Sequence, residues 1–575
     1  MTTVRTVRVI ALLLSLTVCV LGQTQQPAVR TGAAEAGTIT GRVVNENGQP
    51  LAGASVQVHA VGGSGRGQIA TTNREGEFRV SGLDRASYSV LAFMASYTPE
   101  PRDISSTQSQ TYHIGDSVTL TLIKGGVITG TVTNANGDPV VAINVRVQMT
   151  RDANGKRSSS GFSYEKPTDD RGVYRVYGLA PGTYVVSAGG PNNYSGRETS
   201  AFDTDVPTYA PSATRETATE VSVRSGDEAT GIDIRYRGEQ GRTISGVVNV
   251  PNDGAFNVIL STTGDGVVPW TTNYYQAPGA RSFVFNGIAD GNYQLLAMSY
   301  PGSGGRLLAA VAKQISVHGA DVSGIELTPV PLATISGRVV LDEPNIPECV
   351  DKQRPQFNEI LLSAWHRDND AAKETPQTLW SIGAPVTADG DGNFMLRNLA
   401  GGEYYFATRF TAKYWYLQSI AFPAPAATGA KTPGKDASVW TKVNTGDRLS
   451  GLTVTLALGA GSLRGDVVTE ARSIPEKLFV YLVPSEAEKA DVGLRYYAAP
   501  VAADGKIAIH NIAPGRYWIL AQPFTEDAAT PLTKLRQPDG GESRARLRRD
   551  AEAAKTEVEF KPCQNVVDFH LPLKP

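Results

Sequence analysis

One short pattern constrains this chain more than any other feature: hydrophobic, Ser or Thr, Gly, any residue, Val. It occurs at Ile39-Thr40-Gly41-Arg42-Val43, Ile128-Thr129-Gly130-Thr131-Val132, Ile244-Ser245-Gly246-Val247-Val248 and Ile335-Ser336-Gly337-Arg338-Val339, with a weaker copy at Leu463-Arg464-Gly465-Asp466-Val467. Side chains alternate between the two faces of a strand, so the hydrophobic residue, the glycine and the valine share one face. A glycine on the inward face predicts that something packs closely against the backbone there. The five glycines lie 89, 116, 91 and 128 residues apart, which suits sandwich domains of roughly 100 residues.

A second, longer pattern follows in each copy. A turn glycine precedes a tyrosine by 12 residues in Gly76 to Tyr88, Gly172 to Tyr184, Gly392 to Tyr404 and Gly505 to Tyr517, while the third copy keeps Tyr293 but has Arg281 in place of the glycine. A fixed interval between two turns fixes the strand between them, and predicts the same hairpin five times, with the tyrosine opening the next strand and burying its ring. Its hydroxyl is then placed to bond back to the corner backbone, as in the tyrosine corner of immunoglobulin-like sandwiches. Asn47-Gly48 and Asn136-Gly137 after the first strands are further hairpin signals.

Each copy ends in a closing strand, as in Val118–Leu122 or Leu452–Leu456, and linkers of a few residues predict a semi-rigid rod. The expected division is a signal peptide at 1–22, a linker at 23–36, and β-sandwiches at 37–124, 125–238, 239–330, 331–458 and 459–575. The fold class is therefore all-β: about five tandem immunoglobulin-like β-sandwich modules with loop insertions. Segments 190–230, 343–358, 420–447 and 523–556 read as those insertions, the last carrying one short helix with an arginine cluster at 544–549.

The series Ile39-Thr40-Gly41-Arg42-Val43-Val44, then Asn47-Gly48-Gln49-Pro50-Leu51-Ala52-Gly53-Ala54-Ser55-Val56, followed by the Gly-to-Tyr unit, resembles the carboxypeptidase regulatory-like domain. That family is similar to transthyretin-like and collagen-adhesin B-type modules and is grouped with carbohydrate-binding-like sandwiches. The resemblance is clear in the first two modules, fair in the fourth and weak in the third and fifth. It implies a sandwich that accompanies another activity: a metallocarboxypeptidase, an outer-membrane receptor barrel or an adhesin stalk. The zinc-binding His-x-x-Glu of the first is missing, with His113/Asp116 and His318/Asp321 the nearest spacings, and the lysine of adhesin isopeptide bonds has no counterpart in the first strands.

The N-terminus reads as an export signal: Arg5 and Arg8 precede an apolar run of 13 residues from Val9 to Leu21, with cleavage expected after Gly22. Cys19 raises lipidation, but Val18 stands where a small residue normally precedes a lipidated cysteine. Cleavage removes two arginines and no acids, taking the net charge from −2 to −4. Such a balance argues against a nucleic-acid partner, and the remaining chain has no apolar run long enough for a membrane helix. Cys349 and Cys563 remain as an even pair in an oxidising compartment, a candidate disulfide.

Catalytic motifs are absent from the sequence: no His-Glu-x-x-His, no Gly-x-Ser-x-Gly, no phosphate loop, and six scattered histidines. Asp389-Gly390-Asp391-Gly392-Asn393 has the alternating oxygens of a calcium loop but lacks its downstream glutamate and falls on the repeat's turn. Aromatic clusters are the feature suited to stacking on sugars: Tyr414-Trp415-Tyr416, Trp270 with Tyr274-Tyr275, and Tyr496-Tyr497. Alternation sends at least one residue of each cluster into the core. The expectation is an exported, non-catalytic binding or scaffold protein of the cell envelope, without cofactor, recognising polysaccharide or an envelope protein. The competing expectations are a degradative enzyme with a site between the third and fifth modules, and an accessory subunit of an outer-membrane transporter.

Overall fold

A computed structural model describes residues 37–573, apart from 63–66, 101–110, 159–162, 192–199, 251–253, 264–270, 301–305, 311, 368–384, 424–438, 470–473, 476 and 525–530. The expected signal peptide and the linker after it lie outside the described residues. The chain is all-β: five successive pairs of sheets, each pair enclosing its own apolar core.

The five share one plan. In the first, strand Gly37–Asn45 pairs antiparallel with Glu77–Leu83 and parallel with Ser117–Lys124. The facing sheet joins Gln68–Thr71, Ser55–Ala60 and Tyr88–Phe93. Ile39, Val43, Phe78 and Leu120 from one sheet meet Val56, Val58, Tyr88 and Val90 from the other. Parallel pairing of first and last strands recurs in the other four sandwiches, so every closing strand seen in the sequence lies beside the strand that opened its module.

The signature glycine sits where that parallel pair is tightest. A Cβ on Gly41, Gly130, Gly246, Gly337 or Gly465 would lie within 1.9–2.2 Å of a carbonyl oxygen of the closing strand: those of Val118, Ile232, Ile325, Leu452 and Phe569. In three of the five the parallel register shifts at this glycine, a bulge that turns the carbonyl inward. An aromatic ring from the adjacent strand closes over the site in the first, second and fourth modules, and in the second the Tyr174 hydroxyl donates to that Ile232 carbonyl at 2.5 Å.

The Gly-to-Tyr unit is not a hairpin. Strand Glu77–Leu83 lies in the sheet of the first strand, and Tyr88–Phe93 lies in the opposite sheet. The chain therefore crosses the sandwich at this corner, and the same crossing occurs in every module. A two-strand pattern with one short turn cannot by itself distinguish pairing from crossing, which is why the sequence pointed to a hairpin. Six residues before each tyrosine the backbone is left-handed: φ is +79° at Gly82, +78° at Gly178, +69° at Gly287, +62° at Asn398 and +58° at Asn511. Glycine and asparagine are the residues that tolerate this region most readily.

Arg281 also finds its explanation. The N–H of the last signature valine donates to the carbonyl of Gly76, Gly172, Gly392 or Gly505 at 2.8 Å, and Val248 donates to Arg281 at 2.7 Å. Arg281 thus holds the turn's place in the third module, while the positive φ, +95°, has moved two residues back to Gly279.

Neighbouring modules are joined tightly. Gly125 alone separates strands Ser117–Lys124 and Gly126–Thr133, and residues 459–460 separate Arg448–Leu458 from Gly461–Val468. Asn358 Nδ2 donates to the Arg85 carbonyl and Gly62 lies against Pro385–Thr387. The first module therefore touches the fourth, and the array folds back on itself where the short linkers had suggested a rod. The C-terminal insertion holds two helices, Pro531–Arg536 and Gly541–Ala554, where the sequence showed one. The first is too short to show a periodic stripe; its Leu535 packs with Leu547, Ala551, Val483 and Tyr496 in a small second core outside the fifth sandwich.

Candidate functional site

Each corner tyrosine is buried and donates to the carbonyl four residues before it. The hydroxyls of Tyr88, Tyr184, Tyr293, Tyr404 and Tyr517 lie 2.7, 2.6, 2.7, 2.9 and 2.8 Å from the carbonyls of Asp84, Ala180, Ala289, Ala400 and Ala513. Burial holds the hydroxyls of Tyr184, Tyr404 and Tyr517 well above the usual tyrosine range and raises that of Tyr293. These groups bind together the crossing between sheets and are structural.

That burial gives a pH dependence. A tyrosine whose folded pKa is raised keeps its stabilising effect below its unfolded value of about 10 and loses it as pH rises beyond, because only the unfolded chain then releases the proton. We expect the phenolate absorbance of these tyrosines to appear in one cooperative step above about pH 10, coincident with loss of the circular-dichroism signal. Gradual ionisation while the sheets remain intact would contradict it.

The apparent calcium loop is a side-chain-capped turn. Asp389 Oδ1 accepts from the N–H groups of Asp391 at 3.0 Å and Asn393 at 2.8 Å, and these bonds hold its carboxyl below the usual range. Asn73 and Asp169 make the same pair of bonds in the first and second modules. Among the described residues no group of three or more His, Cys, Asp or Glu is placed to hold a metal ion. Asp116 and Asp321 likewise accept from backbone N–H groups of His113 and Thr243.

The sequence-derived aromatic residues part company. Trp415 is 1% exposed in the fourth core, its Nε1 donating to the Gln353 carbonyl at 3.0 Å, so it offers no ring face to a ligand. Its neighbours point to the junction with the fifth module: Tyr414 accepts at its hydroxyl from Asn565 Nδ2 at 3.1 Å, and the Arg495 guanidinium lies 5.4 Å from the Tyr416 ring centre. Lys352 stands 4.5 Å from the Tyr414 ring centre. Tyr274, half-buried, packs edge-on to Phe285 against the third core, with its hydroxyl accepting from Gln276. Trp270 lies outside the described residues. Tyr496 and Tyr497 are both buried, bonded to the Ala490 carbonyl and the Ala513 N–H. Among the described residues the three clusters lie in different modules, and Tyr414, Trp415 and Tyr416 do not present their rings on one common face.

Tyr414 stands at a junction that is also covalent. Cys349 and Cys563 form a disulfide across 214 residues, tying the insertion of the fourth module to the last strand region of the fifth. The main-chain N–H groups of Gly459 and Ala460 donate to the Tyr414 carbonyl, and Cys563 donates to Gly459. The arginine cluster of the long helix is largely spoken for: Arg544 donates to the carbonyls of Leu535 and Gln537, and Arg548 to those of Pro484 and Ser485 while lying over the Trp518 ring.

A cleft of about 410 Å³ opens between the second and third modules, and nothing in the sequence pointed to it. Segment 200–217 of the second module's insertion leans on the third. Val206 N–H donates to the Glu239 carbonyl, Gly241 N–H to that of Thr204, and Gly287 lies against the Asp205 carbonyl. Tyr209 and Tyr293, 5% and 1% exposed, back the cleft, and Arg215, Arg237, Glu239 and Arg242 line it. Arg215 bonds Glu216 at 3.2 Å and lies 5.9 Å from the Tyr293 ring centre.

Residues 38–121 match the carboxypeptidase regulatory-like domain. The first module is thus a domain of that kind, and the repeat extends its plan of parallel outer strands and a bonded corner tyrosine to the four that follow. No curated protein matches the chain. Among solved structures, GBS52, the minor pilin of Streptococcus agalactiae, is 15% identical, covers 35% of this chain and 97% of its own, and has a TM-score of 0.19. The Bacillus anthracis TIE protein is 14% identical over 51% of this chain, with a TM-score of 0.14, and the match spans only 50% of its own length. The major pilin subunit BcpA of Bacillus cereus is 10% identical over 51% of this chain and 99% of its own, with a TM-score of 0.13.

Proposed function

We propose that this chain is an exported, non-catalytic binding and scaffold protein of the cell envelope, with its sandwiches fixed in order as one jointed body. The observation that carries this reading is the bonding at the junctions. One residue or a few separate successive modules, and the fourth and fifth are further held by a disulfide and by Tyr414 and Tyr416. Modules that merely accompany one another are joined by mobile linkers with few crossing contacts; these are built to keep their spacing. The groups with the most chemical potential serve the fold: the corner tyrosines, Asp389, Arg544 and Arg548 all end on backbone groups of their own modules. Among the described residues no helix is long and apolar enough to cross a membrane, and export rests on the signal read at residues 1–22.

The test is to incubate the purified mature protein with insoluble and soluble polysaccharides and with isolated envelope fractions. Depletion of the protein from solution and release of reducing ends are then measured in the same tubes. Depletion without release is expected. Release of sugar ends that depends on the protein overturns the non-catalytic reading in favour of a degradative enzyme.

A further inference from the structure

The third module differs from the other four along one side. Two consecutive strands, Thr271–Gln276 and Ser282–Ile288, form that side, one at the end of each sheet, and among the described residues no strand pairs with the outer edge of either. Their sequences, Thr-Thr-Asn-Tyr-Tyr-Gln and Ser-Phe-Val-Phe-Asn-Gly-Ile, hold no charged residue and no proline. An open edge of that kind is a template for pairing with another chain, and folded proteins normally blunt it with charge, proline or a very short strand.

The sister modules use those devices at the same place. The strand equivalent to Ser282–Ile288 carries Arg79 in the first module, Arg175 in the second, Arg397 in the fourth and Lys506 in the fifth. Its companion ends in Pro167 in the second and Pro500 in the fifth, and in the first and fourth it is only four and two residues long. Register matches half-buried Val284, opposite Ser245, to Arg79 and Arg175, which stand opposite Thr40 and Thr129. Small residues at Ser245, Ser282 and Gly324 help to leave a hollow of about 500 Å³ against the Val284 strand.

We propose that the third module pairs with its counterpart in a second copy of this chain, Ser282–Asn286 running antiparallel to itself about a two-fold axis at Val284. A two-fold contact sets each residue against its own copy or a symmetric partner, so charge decides which edges can use it. Here Val284 meets Val284, Ser282 meets Asn286 and Phe283 meets Phe285: an apolar, a hydrogen-bonding and an aromatic pair, none of them repulsive. The same geometry in the first or second module sets Arg79 on Arg79 or Arg175 on Arg175, and like charges directly opposite are destabilising. At Gly287 the Asp203 and Asp205 carbonyls already close the strand's far end, which limits the pairing to Ser282–Asn286. The inference goes beyond the scaffold reading, which holds for a monomer as well as for a dimer.

Sedimentation velocity of the intact mature chain over about 1–300 μM tests it, because so short a seam corresponds to a dissociation constant on the order of 10–100 μM. Monomer giving way to dimer as concentration rises is expected. Val284→Lys reproduces the kind of charge that Arg79 and Arg175 bring to this register, so the sandwich tolerates it, and should weaken dimerisation by about tenfold. Val284→Glu should do the same, and an equimolar mixture of the two variants should recover dimer, which misfolded protein would not do. Should either variant fold poorly by circular dichroism, Ser282→Lys, at an exposed position, is expected to weaken the dimer by about threefold. A chain that stays monomeric over the whole range overturns the proposal. So does a dimer indifferent to the lysine variant that folds, or folded Val284 variants whose mixture stays monomeric. None of these results touches the scaffold reading, which fails on protein-dependent release of sugar ends.

Discussion

Gly130→Ala is expected to destabilise the second sandwich by about 3 kcal/mol, the upper part of the usual range for overpacking. The added methyl would lie 2.1 Å from the Ile232 carbonyl oxygen and 2.5 Å from its carbon, both backbone atoms of the closing strand. No rotamer change relieves such a contact; the first and last strands have to separate. Separation also disturbs the Tyr174 hydroxyl, which donates to the same carbonyl, and the paired bonds from Thr131 N–H and Oγ1 to Asp233. For a module of this size the loss corresponds to a fall on the order of 15 °C in its melting transition. Differential scanning calorimetry of the full chain should show that transition moving while those of the fourth and fifth modules stay in place. Gly48→Ala is the control, because a Cβ there meets nothing within 4 Å and only the cost of its positive φ, +75°, remains. A Gly130→Ala protein as stable as the parent would mean that the closing strand is not held against the first as described.

The same position shows how far the sequence could be read. An inward glycine between two apolar residues announces close approach without saying what approaches, and the answer in all five modules is a carbonyl of the final strand some 80 to 115 residues later. The corner tyrosine was legible down to its hydrogen bond because donor and acceptor are only four residues apart. Whether the unit pairs or crosses was not legible, since the partner strands lie elsewhere in the chain. Tyr414, Trp415 and Tyr416 were recognisable as an aromatic cluster, but Tyr414 sits in a left-handed turn before the strand that Trp415 opens, the three face different surroundings, and those of the two tyrosines come partly from the fifth module. The cleft is the extreme case. Arg215 belongs to an insertion that reads as a polar loop, Tyr293 to a corner and Arg242 to the start of the third module's first strand, and only the docking of 200–217 on the third module brings them together.

Reduction of the Cys349–Cys563 bridge is expected to lower the stability of the last two modules by about 2–4 kcal/mol and to leave the first and second unmoved. The bridge closes 214 residues, nearly the whole of both sandwiches. In the chain-entropy account so long a loop is worth about 5 kcal/mol. Less is expected here because residues 459–460 already tether the two modules and Tyr414 binds across the same junction. The remainder appears mainly when both modules unfold together, so the bridge should couple their transitions as well as raise them. Calorimetry of the Cys349→Ser, Cys563→Ser double variant should therefore show the joint transition of the fourth and fifth modules splitting and falling. The parent treated with a reductant that reaches both sulfurs should behave like the variant, although Cys349 and Cys563, 3% and 9% exposed, will reduce slowly in the folded state. Unchanged, still-coupled transitions would assign the whole of the junction's rigidity to its non-covalent contacts.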